Sequence, residues 1–185
     1  MKQSRATARY AKSLLEISEE KGLVDDAYND MLFVRSACVL NKDFSNLLKT
    51  PIVKTDLKIS IINEIFQNKV NPLTLSFLIL ITKKKREGLL SAITSSFIAL
   101  YKNKKNIKEV TITTAVSLDQ ELRQEVLRYV KGTSNSNIEL IEKVDPRLVG
   151  GAVIRMDDKQ LDTSISSKLK SLKQEFSKNL YIQNY

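Results

Sequence analysis

Apolar residues recur at three- and four-residue steps through the first hundred positions, the period of helices with one buried face. Residues 6–21 set Tyr10, Ala11, Leu14, Leu15 and Ser18 on one stripe, with Gly22 as the closing residue. Residues 24–40 set Ala27, Met31, Val34 and Cys38 on another. A short helix over residues 43–49 ends at Thr50-Pro51. Residues 54–67 follow, with Leu57, Ile61, Ile62 and Ile65 expected inward. Pro72 opens a fifth segment, residues 73–84, in which only Thr74 and Ser76 interrupt a run of Leu, Phe and Ile up to Ile81. A helix apolar nearly all round needs cover on several sides. That suits the centre of a bundle or one wall of a groove for a partner helix; periodicity leaves a buried strand open as well. The sixth segment, residues 87–103, carries Leu89, Leu90, Ile93, Phe97 and Leu100.

The period changes at Lys108. Val110, Ile112, Thr114 and Val116 alternate with Thr111, Thr113 and Ala115, as in a half-buried strand. Ser117 and Gln120 have capping-box spacing, and the helix they start places Leu118, Leu122, Val126 and Val130 on one side. Residues 138–144 read as a strand, Asp145-Pro146 as a turn, and residues 148–156 as a strand interrupted by Gly150-Gly151. Paired glycines there imply a bulge or the close approach of another backbone. Asp157-Asp158-Lys159 reads as a hairpin turn, and the last helix lines up Ile165, Leu169, Leu172 and Phe176. The fold class is mainly α: an N-terminal six-helix bundle over residues 1–105, then a small α+β domain (β-α-β-β-α) over residues 106–185.

Composition narrows the function. The 185-residue chain has a formal net charge of +9, one Cys and no His. The charge suits nucleic acid, an anionic membrane or an acidic protein. Without His, a Ser-His-Asp triad and a Cys-His pair cannot form, and the commonest metal ligand is missing. Phosphate-cradling glycine motifs do not occur. Adjacent carboxylates (Glu19-Glu20, Asp157-Asp158) suit solvated turns and helix ends better than acid-base or metal sites. Cys38, on an apolar face, reads as a small core residue. The run Lys83-Lys84-Lys85-Arg86 has no stacking aromatics beside it and reads as a solvated helix end and inter-helix turn, or else as an electrostatic surface for an acidic partner. No catalytic, cofactor-binding or metal-ligating set is expected. The N-terminus lacks the apolar core of a signal peptide.

Residues 138–176 resemble the C-terminal signature of the delta subunit of F-type ATP synthase, the oligomycin-sensitivity-conferring protein family. The residues that carry it are Ile138, Leu140, Val144, Asp145, Leu148, Val149, Gly150, Gly151, Val153, Ile154 and Arg155, then Asp158-Lys159, Asp162 and Ser164 before the last helix. Residues 9–14, 54–66 and 77–101 resemble the family's first, fourth, and fifth and sixth helices, so the resemblance spans essentially the whole chain. It departs at Asp157, where the family usually has Gly, at Thr163, where it often has Gly, and near Lys84, where Asn or Gly commonly precedes the basic residue.

The resemblance implies a non-catalytic stator subunit without cofactors. It would join the alpha and beta subunits of the catalytic head to the b subunits of the peripheral stalk. Head binding is expected at Tyr10, Leu14, Leu75, Leu78, Ile79 and Thr82, helped by close approach at Ala8 and Ala11. Stalk binding is expected around Val149, Ile154, Ile165, Leu169 and Leu172, positions that could equally serve as core. The location implied is the cytoplasmic face of a bacterial inner membrane, peripheral, or the stromal side of a thylakoid; a start almost at the family's first helix leaves no room for a transit peptide. The rival reading from charge alone is a basic nucleic-acid- or ribosome-binding protein, which the family reading does not require.

Overall fold

Small and apolar residues on the inner stripes of the first segments bring six α-helices together. The structure, a computed structural model, describes residues 5–120, 123–124, 126–128, 137–156 and 159–177. The chain divides into two units, Met1–Lys104 and Lys105–Tyr185.

The first unit contains α1 (Arg5–Glu20), α2 (Val24–Leu40), α3 (Lys42–Lys49), α4 (Thr55–Phe66), α5 (Pro72–Lys83) and, after a 3-10 turn at Glu87–Leu89, α6 (Leu90–Lys104). Gly22, at φ +68°, ends α1, and Leu23 N–H reaches back to Ser18 O, as a glycine in the left-handed region commonly does after a helix. The Asn41 side chain caps α3 through Asp43 and Phe44 N–H. The Asn71 side chain accepts from Leu73 N–H at the start of α5, where Pro72 fills the first turn.

Two apolar clusters fill this unit. One gathers Val34, Cys38, Phe44, Leu48, Ile62, Phe66, Val70, Leu78 and Leu90. The other gathers Ala11, Leu14, Leu15, Ala27, Met31, Phe97 and Ile98. The Tyr101 ring stacks on Tyr28 at 4.0 Å, and its hydroxyl donates to Asp25 at 2.7 Å, tying α6 to α2. That hydrogen bond, with burial, pushes the Tyr101 pKa up to about 12.

The inner face of α4 departs from its apolar pattern. Leu57 is 56% exposed, whereas Lys58 is 2% exposed. The buried stripe is Lys58, Ile62 and Phe66, with Ile61 and Ile65 half-buried. An ammonium has three donors, and burial is tolerable when each finds an acceptor. Those of Lys58 are taken by Leu48 O at 3.2 Å, Thr50 O at 2.8 Å and Glu87 Oε1 at 2.7 Å. Lys58 thereby satisfies carbonyls at the end of α3 and pins the turn before α6 to α4. On α5 the buried side is Thr74, Leu78, Ile81 and Thr82, and Leu80 faces outward, so the helix is not covered all round. Ala11 is buried within the unit, so its small side chain serves packing inside the chain; Ala8 is exposed.

The second unit has β1 (Ile107–Thr114), β2 (Asn137–Val144), β3 (Ala152–Met156), β4 (Lys159–Asp162) and α7 (Ile165–Ser177). The sheet order is β2-β1-β3-β4, with β2 parallel to β1 and the other pairs antiparallel. A parallel neighbour needs a crossover. The chain between β1 and β2 supplies it, helical where described between 120 and 128. Leu122 and Val130, expected on that helix, lie outside the described residues, as does the Asp157-Asp158 turn.

Val110, Ile112 and Thr114 are buried as the alternation predicts, but Val116 lies beyond the strand and is exposed. Residues 148–151 are not strand; the glycines precede β3. β4 is an added strand. Its four residues are all exposed, with Leu161 the one large apolar side chain among them, too weak a pattern to read from sequence.

Replacing Lys58 with Met leaves the Glu87 carboxylate buried without its partner. The expected cost is about 3 kcal/mol in urea unfolding, and K58M/E87L should recover the part due to the unpaired carboxylate but not the part due to the Leu48 and Thr50 carbonyls.

Candidate functional site

The first unit offers an outer helix face. α1 packs along α6 and more lightly on α2, and α5 packs on α4 and α2. Among the described residues α1 and α5 share at most a weak contact. Of the six residues expected to face the head, Tyr10, Leu75 and Ile79 are half-buried and reachable. Leu14, Leu78 and Thr82 are each 1% exposed. Leu14 belongs to the cluster around Phe97, and Leu78 to the one around Phe66. The Thr82 hydroxyl donates to Leu78 O at 2.9 Å. A cavity of about 540 Å³ lies over Ser76, Ile79, Leu80, Lys83 and Lys84. The sequence pattern does not single out Leu80; its place at i+4 from Ser76, off the buried stripe, is the signal that marks it.

The second unit exposes more apolar surface. Val149 is 75% exposed, and Ile165, Leu169 and Leu172 are 44%, 59% and 48% exposed. None of these four is core. Ile154 is half-buried and sits in register between Ile112 and Leu161. Phe176, one turn beyond Leu172, continues the same face and is the most exposed of the set.

The signature residues build the joint that carries α7. Gly151 has φ +81°, and a Cβ on it would lie 2.5 Å from Thr163 O and 2.9 Å from Ser164 Cα. Only glycine permits that approach. Thr163 N–H and its hydroxyl both donate to Ala152 O, at 2.9 and 2.8 Å, and Ile165 N–H donates to Gly150 O. Thr163 has no positive φ, so glycine is not required there, and its hydroxyl adds a bond. Ser164, buried, caps α7 by accepting from Ser167 N–H. The Asp162 carboxylate accepts from the Ser164 hydroxyl and from its N–H, which holds its pKa below the ordinary value. At the other departure, Lys85 takes φ +56°, the left-handed position after α5 where Gly or Asn is least strained.

Chemistry is scarce. Burial pushes the Cys38 thiol up to about 11, which makes it a poor nucleophile. Among the described residues no group of three or more Cys, Asp and Glu could hold a metal ion. Among them, too, no helix is long and apolar enough to cross a membrane.

Compared with known proteins, residues 6–176 match the family model described as ATP synthase delta (OSCP) subunit. The chain belongs to that family. The ATP synthase subunit delta of Cytophaga hutchinsonii is 37% identical over 97% of this chain and 98% of its own. Those of Amoebophilus asiaticus and Christiangramia forsetii are 35% and 31% identical, over 94% and 98% of this chain and 95% and 98% of theirs. A chain of the Toxoplasma gondii mitochondrial ATP synthase hexamer shares the fold, with a TM-score of 0.71 at 20% identity, over 94% of this chain and 98% of that one. The delta family is a structural part of ATP synthase rather than its catalytic subunit. Its C-terminal signature, as it stands here, is a backbone joint: Gly151, Asp162 and Ser164 serve geometry and capping.

Gly151→Ala should cost about 2–3 kcal/mol in urea unfolding, from backbone strain and the contact with Thr163 O. Gly150→Ala meets only the tip of the Ile165 side chain. It should cost under about 1 kcal/mol.

The Asp162 pKa is lowered on folding, so its stabilisation is present above the unfolded value of 3.8 and is lost as pH falls through the folded value. The stability gap between wild type and Asp162→Asn should therefore shrink on going from about pH 6 to about pH 3.

Proposed function

We propose that this chain is a stator subunit that ties the catalytic head of an F-type ATP synthase to its peripheral stalk. The observation that carries this is the pair of uncovered apolar helix surfaces, one on each unit: the outer face of α5, and the seam of α7. A tether needs two separate contacts on one complex, and each raises the effective concentration of the other. Without such a tether, torque from the rotor would turn the head with it, and ion flow would not drive ATP synthesis.

The first unit receives an amphipathic N-terminal helix of an alpha subunit at Tyr10, Leu75 and Ile79, a helix-in-groove contact. Leu14, Leu78 and Thr82 support those residues from beneath. The second unit binds the b-subunit stalk through α7 and Val149. The protein is peripheral, held at the cytoplasmic face of a bacterial inner membrane through the complex. Bacterial relatives such as that of Cytophaga hutchinsonii support this location over a plastid one. The basic run Lys83–Arg86 is the exposed end of α5 and the turn after it, and needs no nucleic acid to explain it.

A synthetic peptide of the alpha-subunit N-terminus from the same organism, titrated into the full chain, should bind saturably. Ile79→Asp should weaken binding at least tenfold with the urea midpoint little changed. A folded wild-type chain that shows no binding overturns the head-facing contact.

A further inference from the structure

α7 buries none of its side chains. It is 13 residues long, and an isolated helix of that length is marginal in water. Most helical stability in proteins comes from packing an amphipathic face, and its own chain covers this face only in part, most at Ile165 beside Gly150 and least at Phe176.

The spacing of the face is informative. Ile165, Leu169, Leu172 and Phe176 follow one another at four, three and four residues, the alternation of the d and a positions of a heptad. All four are exposed, Phe176 to 88%. A face with this narrow two-position seam fits a single partner helix by knobs-into-holes packing. A sheet or a broad groove would ask for a wider stripe. On the same register Lys168 and Lys173 occupy the flanking g and e positions. Both are exposed, and neither makes an ion pair among the described residues.

The two lysines also bear on what the partner is. In a parallel pair, a g residue meets the e residue five positions on in the other helix. A parallel second copy of α7 would therefore set Lys168 against Lys173, like charge against like.

We propose that α7 is one strand of an intermolecular coiled coil. Its partner is an amphipathic helix with an apolar a/d seam and carboxylates opposite Lys168 and Lys173, and α7 is stabilised by that pairing. This rests on reading the second unit as the stalk-binding one, and adds the mode of contact and the chemistry of the partner face.

The test uses the full chain and the purified b subunit of the same synthase, with calorimetry and amide hydrogen exchange. The b subunit should bind and slow exchange across α7 at least tenfold. Leu169→Asp should abolish binding, and K168E/K173E should weaken it at least tenfold at low salt and less at high salt. Because α7 buries nothing, both variants should keep the wild-type urea midpoint.

No binding by the wild-type chain overturns the stalk-binding reading itself. Binding that survives Leu169→Asp with α7 still exchanging fast overturns the coiled coil and leaves stalk binding to another surface. Loss with Leu169→Asp but full affinity in K168E/K173E overturns the acidic partner face.

Discussion

At Gly151 the chain passes so close to Thr163 and Ser164 that no side-chain carbon fits between them. The end of the second unit depends on that approach. It lets Ala152 O take two bonds from Thr163 and Gly150 O take one from Ile165, so the strand leaving the glycines and the helix after β4 share one junction. Ser164 is buried in that junction, where it caps α7. Asp162 holds Ser164 in turn. A single positive φ thus sets where β3 starts and where α7 leaves the sheet.

The first unit has a different constraint at its centre. A buried ammonium is tolerable only when every N–H is used. Lys58 meets that condition with two carbonyls near the end of α3 and the Glu87 carboxylate. The result is a polar clasp joining α3, α4 and the turn that opens α6. The apolar clusters take successive stretches of the α2 stripe, one at Ala27 and Met31 and the other at Val34 and Cys38.

Much of this is legible in the sequence. Helix periods locate α1 to α6 within a few residues, because each carries its own buried stripe and stop signal, such as Gly22 or Thr50-Pro51. The inward face of α4 is misjudged because periodicity ranks Leu57 above Lys58. It has no way to see acceptors that arrive from residues 48, 50 and 87. β4 escapes notice because an exposed four-residue strand needs no apolar alternation; its neighbour's hydrogen bonds define it. For the candidate surfaces, spacing puts Ile165, Leu169, Leu172 and Phe176 on one helix face but cannot say how much of it its own sheet covers. On α5 the reverse holds: Leu78 and Thr82 look available and are buried, because a helix apolar on several sides does not announce which side the bundle takes.

The joint at residues 163–165 is made from backbone bonds and one cap, whereas the face of α7 makes none of the fold's core. The joint that attaches α7 and the face that α7 exposes are therefore separate in this unit. The outward positions of α7 can be rewritten at little cost to folding, since surface changes away from such joints are nearly neutral. The grammar of this unit is fixed in the main chain, and its vocabulary is free.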